Sequence, residues 1–385
     1  MFEFTPPSGT EVSTLLGKCS GARLVESNRN KSPLKAFAIA VTALVVFALA
    51  LWMGWHQVIA QVPASIEPPS RSLAPAATVS EAKPPPTNTA AGNSALGSFL
   101  KQEGFGVVRL KQENLDNQKS HENNPKHLII DVEVNRMSAS LMVDTGTPTT
   151  SIARGSLEKF GLVEQTTSLR VASPLRRASK KFYGIAKLNT LALGNCFIQD
   201  LPVLVDTIPY VDGVFGSDDM RRIGAVLDCA EPTLYYLPPG PRSDTSGKLA
   251  AMLQSSGFTR VPMRLTSDHR LEVACSIEGV ASTIIVDTGS VATCMDKSIG
   301  IKAGIRMKRT RTPLMGSGGA RTRVSINNVK QFAIGDYEIK DADISFLDFK
   351  KADHPSAHLL GIGELAANSA IVDVGGLSMY LRHPQ

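Results

Sequence analysis

Two short apolar runs along the chain each end in the tripeptide Asp-Thr-Gly. The first run, Ser140–Val143, leads to Asp144, and the second, Thr283–Val286, leads to Asp287. β-Branched and other apolar residues predict a buried strand in each run, and the glycine that follows allows a sharp turn. The pattern therefore predicts two buried strands that each deliver an aspartate into a turn at the strand end.

The similarity between the two regions extends beyond the tripeptides and indicates a duplicated unit. Leu128 and Leu271 each lie sixteen residues before an aspartate, and the segments between them align without a gap. Further along, Gly213–Gly216 matches His358–Gly361, two apolar residues and a glycine in each case. A unit of this length is too long for a solenoid repeat. The sequence therefore predicts two related lobes in one chain.

Apolar-apolar-Asp-Thr-Gly-Ser/Thr, followed by a hairpin segment and an apolar-apolar-Gly element, resembles the aspartic proteases. The short lobes resemble the retropepsin-like branch of that family. The resemblance runs roughly from residue 96 to the C-terminus. It implies a mainly β, bilobal aspartic-protease-like fold with two duplicated retropepsin-like β-barrel lobes, at 97–240 and 241–385. A short polar connector, Ser243–Gly247, would join the lobes, so the chain is expected to be an intramolecular pseudo-dimer and a monomer.

By this resemblance, Asp144 and Asp287 would be the catalytic pair. The neighbouring residues would support them: the threonines would lock the two loops together, the glycines would lie against the substrate backbone, and the last residue of each loop would orient a carboxylate. These supporting residues are Thr145, Gly146, Thr147, Thr288, Gly289 and Ser290. Pro148, directly after the first loop, is unusual for the family and is expected to stiffen that loop.

A flap over the substrate is expected in each lobe. Around Pro313–Arg323, the substrate-binding flap residues would be Gly316, Ser317 and Gly318. The corresponding hairpin of the first lobe, Leu169–Tyr183, contains no glycine until Gly184, which departs from the glycine-bearing flap of the family.

Two facing carboxylates can hydrolyse a peptide bond without a metal or cofactor. Like charges held close together cannot both ionise easily, so the pair shares one proton. The charged member then takes a proton from water while the neutral member polarises the carbonyl group. The expected function is therefore that of an aspartic-type endopeptidase, a hydrolase of peptide or protein substrates. The alternative is a catalytically silent aspartic-protease-like module that binds peptides or partner proteins.

The N-terminal part of the chain has a different character. Residues 1–35 are polar, and Ala36–Trp55 carries no charge and has the length of about 20 residues that a membrane crossing needs. The Lys/Arg excess before it predicts a transmembrane helix with a cytoplasmic N-terminus and periplasmic or extracellular lobes. A cleavable signal peptide and a buried core helix are the alternatives. A proline-rich linker follows at 56–96.

Composition narrows the remaining possibilities. The net charge of +6 is too modest to indicate nucleic-acid binding, and basic residues near the second flap lack interleaved aromatic residues. The five cysteines show no C-x-x-C spacing, so a zinc site is not expected. Those beyond the apolar segment could form disulfides or be buried free thiols. His354 and His358 are interpreted as surface histidines.

Overall fold

The computed structural model describes most of the chain after Ser94, and all of the described residues fall in one compact unit. None of the helices within the described ranges is long and apolar enough to cross a membrane. The predicted transmembrane segment at 36–55, the tail before it and the linker up to Ser94 lie outside these ranges. The described ranges are 95–115, 126–167, 184–238, 245–307, 309–315, 321–349 and 358–383.

Strands dominate the described residues, which confirms the prediction of a mainly β fold. The helices are short: α1 (Ala95–Gln102), α2 (Ser217–Arg222), α3 (Thr245–Ser255), α4 (Lys297–Lys302) and α5 (Ile362–Ala367). The strands of the first half are β1 (Gly106–Arg109), β2 (Lys111–Glu113), β3 (His127–Val134), β4 (Met137–Asp144), β5 (Ser151–Ala153), β6 (Gln165–Thr166), β7 (Gly184–Leu193), β8 (Cys196–Asp206), β9 (Gly213–Gly216), β10 (Val226–Asp228) and β11 (Thr233–Tyr236). Those of the second half are β12 (Thr259–Pro262), β13 (Arg264–Leu265), β14 (Leu271–Ile277), β15 (Val280–Asp287), β16 (Cys294–Asp296), β17 (Arg309–Met315), β18 (Arg321–Ile334), β19 (Tyr337–Leu347), β20 (Leu359–Gly361), β21 (Ile371–Asp373) and β22 (Ser378–Leu381).

Each half folds into a sheet with the same strand order, which confirms the two predicted lobes. In the described part of the first lobe the order is β2-β3-β4-β9-β5-β8-β7-β6, and β3 also pairs with β7. In the second lobe the order is β13-β14-β15-β20-β16-β19-β18-β17, and β14 also pairs with β18. The extra pairing joins strands that are distant in the order, so each sheet curls and closes on itself.

Matching hairpin turns hold the closed sheets. In the first lobe Asn135 and Arg136 both have positive φ, as a two-residue hairpin turn requires. The Asn135 side-chain oxygen accepts hydrogen bonds from the backbone of Asn189 and Thr190, on β7. In the second lobe Glu278 occupies the same place and accepts from the backbone of residues 330 and 331, on β18. These contacts continue the strand pairing where the backbone ladder ends.

A third sheet joins the two halves, in the order β1-β11-β10-β21-β22-β12. Each half contributes three of its strands, and β10 pairs with β21 across the junction. Alternate residues point to opposite faces of a strand. Val226 therefore packs with the apolar sides of α1 and α3, whereas Leu227 packs in the main core shared by the lobes. Lys248 also donates to Glu103 at 2.9 Å and ties α3 to the end of α1.

The boundaries between elements differ from the predicted ones in two places. Helix α1 begins at Ala95, inside the linker predicted to reach residue 96. The predicted connector Ser243–Gly247 is not only a linker, because α3 begins at Thr245. Both helices pack their apolar residues on the central sheet, so the contact that orders them comes from strands distant in the sequence.

Candidate active site

The two predicted aspartates are the last residues of equivalent strands. Asp144 ends β4 and pairs in parallel register with Gly216 of β9. Asp287 ends β15 and pairs in the same way with Gly361 of β20. A Cβ atom on Gly216 would lie 2.6 Å from the carbonyl oxygen of Pro148, so only glycine permits this close approach. The apolar-apolar-Gly elements therefore form the strands that flank the aspartates.

Two threonines join the loops through reciprocal hydrogen bonds. The Thr145 hydroxyl donates to the carbonyl of Val286 at 2.7 Å and accepts from the backbone N–H of Thr288 at 3.1 Å. The Thr288 hydroxyl donates to the carbonyl of Val143 at 2.8 Å and accepts from the N–H of Thr145 at 3.1 Å. Both side chains are fully buried. Hydrogen bonds between buried groups are costly to lose, so this lock holds the two aspartates in one site.

Gly146 and Gly289 each face the aspartate of the opposite lobe. A Cβ atom on Gly146 would lie 2.5 Å from Cγ of Asp287, and one on Gly289 would lie 2.4 Å from Cγ of Asp144. The resemblance placed these glycines against the substrate backbone. The contact that the structure describes is with the opposite carboxyl group, and any side chain at either position would displace that group.

The two carboxyl groups are held differently. Asp144 accepts from the N–H of Gly146 at Oδ1 and from the hydroxyl of Thr147 at Oδ2, both at 2.8 Å. Asp287 accepts at Oδ1 from the N–H of Ser290 at 3.0 Å, but the Ser290 hydroxyl donates to the carbonyl of Ala292 at 2.8 Å. Thr147 and Ser290, predicted to act alike, therefore contact different groups.

Burial and mutual repulsion govern the electrostatics of the pair. Asp144 and Asp287 are each 9% exposed. Burial, and after it the neighbouring Asp144 carboxyl group, raises the pKa of Asp287 well above its usual value. The charged form of Asp287 is therefore disfavoured beside an ionised neighbour. This arrangement can hold one proton between two carboxyl groups.

A buried threonine behind the first loop makes hydrogen bonds that were not predicted from the sequence. The Thr150 hydroxyl donates to Asp219 at 2.6 Å and accepts from the N–H of Gly216 at 3.1 Å. In the second lobe Thr293 likewise accepts from the N–H of Gly361 at 3.2 Å. A threonine lies six residues after each aspartate, and this repeated spacing could have indicated these contacts. No local pattern indicates the pairing of Thr150 with Asp219, because the two residues are 69 positions apart.

The structure describes only part of the two predicted flaps. Strands β17 and β18 pair around the predicted second flap, with Pro313 opposite Arg323. The flap residues Gly316, Ser317 and Gly318 lie outside the described residues, and so does all of the first hairpin, Leu169–Tyr183. Pro148 does not alter the backbone contacts of its loop: its carbonyl accepts from the N–H of residue 218, as the carbonyl of residue 291 does from residue 363.

The structure also shows the state of the cysteines and the position of one histidine. The four described cysteines are buried, and none of them forms a disulfide: Cys196, Cys229, Cys275 and Cys294. The prediction of a surface His358 is wrong, because the side chain is only partly exposed and its Nδ1 accepts from the N–H of Asp296 at 3.0 Å. His354 lies outside the described residues.

Residues 273–363 match the family model described as aspartyl protease. A comparison with curated proteins gives no match. Among solved structures, the chain is similar to the aspartic proteinase from Irpex lacteus, with 15% identity and a TM-score of 0.44 over 73% of this chain and 98% of that one. It is also similar to a retropepsin-like aspartic protease from Rickettsia conorii, with 17% identity and a TM-score of 0.25 over 34% and 90% of the two chains. The matched segment contains Asp287 and Gly361, and through it the chain is similar to the aspartyl protease family.

Proposed function

We propose that the protein is a membrane-anchored aspartic endopeptidase in which Asp144 and Asp287 activate the attacking water. The supporting observation is the reciprocal threonine lock, which joins the two loops that carry the buried carboxyl groups of Asp144 and Asp287. Surface aspartates in ordinary turns would need neither burial nor a lock. The same lock supports an active site formed within one chain.

The first chemical step assigns a separate role to each carboxyl group. Asp144 acts as the base, since Gly146 and Thr147 donate hydrogen bonds to its two oxygens and hold the carboxyl group in place. Asp287 carries the shared proton. The water oxygen attacks the peptide carbonyl carbon and gives its proton to Asp144, while the proton of Asp287 passes to the carbonyl oxygen. The product of this step is a neutral gem-diol.

The second step breaks the peptide bond and restores the pair. Asp144 gives its proton to the amide nitrogen, the C–N bond breaks, and one gem-diol hydroxyl returns its proton to Asp287. The new carboxylic acid and amine then leave. One proton stays on the pair throughout, so neither aspartate can replace the other.

A catalytically silent module that binds peptides or partner proteins is the second candidate. The observation that favours it is the first hairpin, Leu169–Tyr183, which lacks a glycine. A flap without a flexible tip closes less readily over a substrate. Both candidates use the same cleft, and only the first requires both carboxyl groups for turnover.

Digestion of a peptide library by the full-length chain in detergent tests the proposal. We expect cleavage that a pepstatin-type inhibitor blocks and that both Asp144→Asn and Asp287→Asn abolish, while both variants keep the wild-type unfolding profile. Asp206→Asn, a change at a partly exposed residue at the end of β8, is the matched control and should remain active. Peptide binding without cleavage by the wild-type protein would instead support the silent module.

Mixing and dilution test whether one chain makes one site. Both lobes lie in one chain, so their association is intramolecular and independent of protein concentration. Activity per chain should not fall on dilution, and a mixture of the two single aspartate variants should stay inactive. Recovered activity in the mixture would mean that the site forms between chains.

For localisation, we propose that residues 36–55 anchor the protein with residues 1–35 in the cytoplasm and the lobes in the periplasm or outside the cell. The support is the uncharged run and the Lys/Arg excess before it. Protease added to intact cells or spheroplasts should then cut within the proline-rich segment 63–86. Cutting within residues 1–35 with protection of that segment would reverse the orientation.

A further inference from the structure

His358 lies at the start of the strand that flanks Asp287. Its backbone carbonyl accepts from the N–H of Ile285 at 2.9 Å. Three residues later, Gly361 at the end of β20 pairs with Asp287 at the end of β15. His358 is therefore joined by a short stretch of paired backbone to the strand end that carries Asp287.

The His358 side chain makes a contact that only a neutral imidazole can make. Nδ1 accepts from the backbone N–H of Asp296 at 3.0 Å, so this nitrogen presents a lone pair and the ring proton resides on Nε2. The ring also packs edge-on against Phe349, with 6.4 Å between centroids. A protonated imidazole donates from both nitrogens and has no acceptor to offer.

Asp296 is the junction that this bond secures. Its Oδ2 accepts from the N–H of Phe349 at 2.9 Å, and its Oδ1 accepts from the N–H of Ser298 at 2.8 Å, which caps α4. With the bond to His358, Asp296 links the end of β16 to the residues that follow β19 and precede β20. The junction therefore fixes the entry of β20 into the sheet.

The first lobe makes the equivalent bond without a titratable group. Ala153, which corresponds to Asp296, donates its N–H to the backbone carbonyl of Asp212 at 2.8 Å. A peptide carbonyl accepts a hydrogen bond at every pH at which the protein is folded. At this bond the second lobe instead uses a side chain whose acceptor is lost on protonation.

Two carboxyl groups face the imidazole from neighbouring elements. Burial lowers the pKa of His358, and Asp296 and Glu272 oppose that shift to a smaller extent. Glu272, on β14, is itself hydrogen-bonded to Arg264 at 2.6 Å and to Thr283 at 2.7 Å. The neutral ring is therefore the form that the folded protein favours at neutral pH.

We propose that His358 is a proton-sensitive positioning residue for Asp287. The neutral imidazole holds the start of β20 against Asp296, and its protonation releases the Asp296 N–H and loosens β20 beside β15. The first lobe keeps its position throughout, so acidification displaces one aspartate relative to the other. Only the activity measurement below rests on the proposed peptidase function.

The linkage sign follows from the lowered pKa. The unfolded chain takes up a proton on this histidine near its usual pKa of about 6.5, before the folded protein does. Above that pH, His358 therefore has no effect on the free energy of unfolding. As the pH falls below it, proton uptake by the unfolded chain lowers the free energy of unfolding.

The test compares His358→Asn, which keeps an acceptor near the Nδ1 position but cannot titrate, with His358→Ala, which removes the acceptor. His269→Asn, at an exposed histidine that contacts Asp218, is the control. Full-length protein in detergent is measured between pH 8 and pH 5 by thermal unfolding, by peptide turnover and by ¹⁵N NMR of the histidine rings. All variants share the aspartate pair, so its own titration cancels in the comparison.

We expect wild-type and His269→Asn turnover to fall about three- to tenfold more than His358→Asn turnover at the acidic end of this range, as loss of one hydrogen bond predicts. The fall should begin below the usual histidine pKa of about 6.5, because burial lowers the pKa of His358 in the folded protein. His358→Ala should be impaired at every pH. The NMR spectrum should show an Nε2-protonated neutral ring that is absent from the His358→Asn spectrum. Superimposable pH profiles of wild type and His358→Asn, or a His358 ring protonated at Nδ1 at pH 8, would overturn the proposal. If no peptide is cleaved at all, the unfolding and NMR measurements still decide it.

Discussion

The two Asp-Thr-Gly loops have matching backbone contacts but different side-chain contacts. In both loops the carbonyl of the fourth residue accepts a hydrogen bond from the first residue of the helix that comes after the flanking strand. Ser217 of α2 donates to Thr147, and Ile362 of α5 donates to Ser290. The hydroxyl of Thr147 binds the carboxyl group of its own loop, whereas that of Ser290 binds the carbonyl of Ala292. The duplicated backbone thus provides a symmetric frame in which one hydroxyl makes the two aspartates unequal.

The acidic residues behind the two loops also have different hydrogen-bond partners. In the first lobe the buried Asp219 accepts from Thr150, and burial raises the pKa of Asp219. The corresponding Glu364 of the second lobe accepts instead from the side chain of Asn368, the residue that directly follows its own helix. The polar network of the first lobe therefore reaches Gly216, next to Asp144, and the helix of the second lobe satisfies its acidic residue by itself. Substitutions at matched positions of the two lobes can therefore separate the effect of the shared backbone contacts from the effect of the side-chain contacts that differ.

Adding a methyl group to the loop glycines should have the largest effect. Gly146→Ala and Gly289→Ala each place a Cβ atom within 2.5 Å of the opposite carboxyl carbon. We expect peptide turnover to fall about a hundredfold or more in both variants, since misplacing a reacting group by about 1 Å has such an effect. Gly155→Ala is the control, because its Cβ would meet no atom within 4 Å. Full activity in either loop variant would show that the carboxyl groups do not need this spacing.

Removing the loop hydroxyls should expose the asymmetry directly. Thr147→Val removes a donor to Asp144, and a hydrogen bond to a charged group is worth about 1.5–3 kcal/mol. We therefore expect kcat/KM to fall about ten- to a hundredfold, whereas Ser290→Ala should change it only slightly. Thr147→Ser, which keeps the hydroxyl, should restore most of the activity. Equal losses in Thr147→Val and Ser290→Ala would mean that Ser290 turns to Asp287 when substrate binds.

The threonine lock should instead respond symmetrically. Thr145→Val and Thr288→Val each remove one buried hydroxyl that donates to, and accepts from, the opposite loop. Each should lower the free energy of unfolding by about 2 kcal/mol, because a buried N–H and a buried carbonyl lose their partner. Urea unfolding monitored by circular dichroism measures the change. Thr259→Val, on outer strand β12, should alter it little. A large difference between the two lock variants would show that one lobe dominates their association.

The smallest expected effect concerns the central sheet, where each half ends a strand with a buried aspartate. Burial raises the pKa of Asp228 to about 6 and raises that of Asp373 as well. A raised carboxyl pKa gives stability that is present below the unfolded value near 3.8 and is lost as the pH rises through about 6. Asp228→Asn keeps the acceptor for the N–H groups of residues 230 and 231 and removes the charge.

We therefore expect Asp228→Asn to be more stable than wild type at pH 7 by about 1 kcal/mol, after allowing for a buried amide donor without a partner. The difference should shrink towards pH 4. Asp373→Asn should shift stability in the same direction. Urea midpoints at both pH values provide the measurement. A variant less stable than wild type at pH 7 would show that the charge of Asp228 stabilises the central sheet.

Local patterns were sufficient to predict the strands that carry the aspartates. The apolar runs before Asp144 and Asp287 became β4 and β15. The repeat also identified the two apolar-apolar-Gly elements, which the structure shows to be the flanking strands that end at Gly216 and Gly361. Strands of three or four residues, such as β10 and β21, are too short for a periodic signal. The pairing of these two strands across the lobes was therefore not predictable, although it forms the middle of the central sheet.

The sequence by itself determined that the chain is duplicated, that each half brings one aspartate to the end of a buried strand, and which residues surround it. Tertiary structure alone decided where the side chains of those residues point. The Ser290 hydroxyl has an acceptor at Ala292, and Thr150 finds Asp219 across 69 residues. His358 faces the N–H of Asp296 rather than solvent. A hydroxyl or imidazole binds the partner that folding brings within about 3 Å, and that partner depends on strand pairing distant in the sequence.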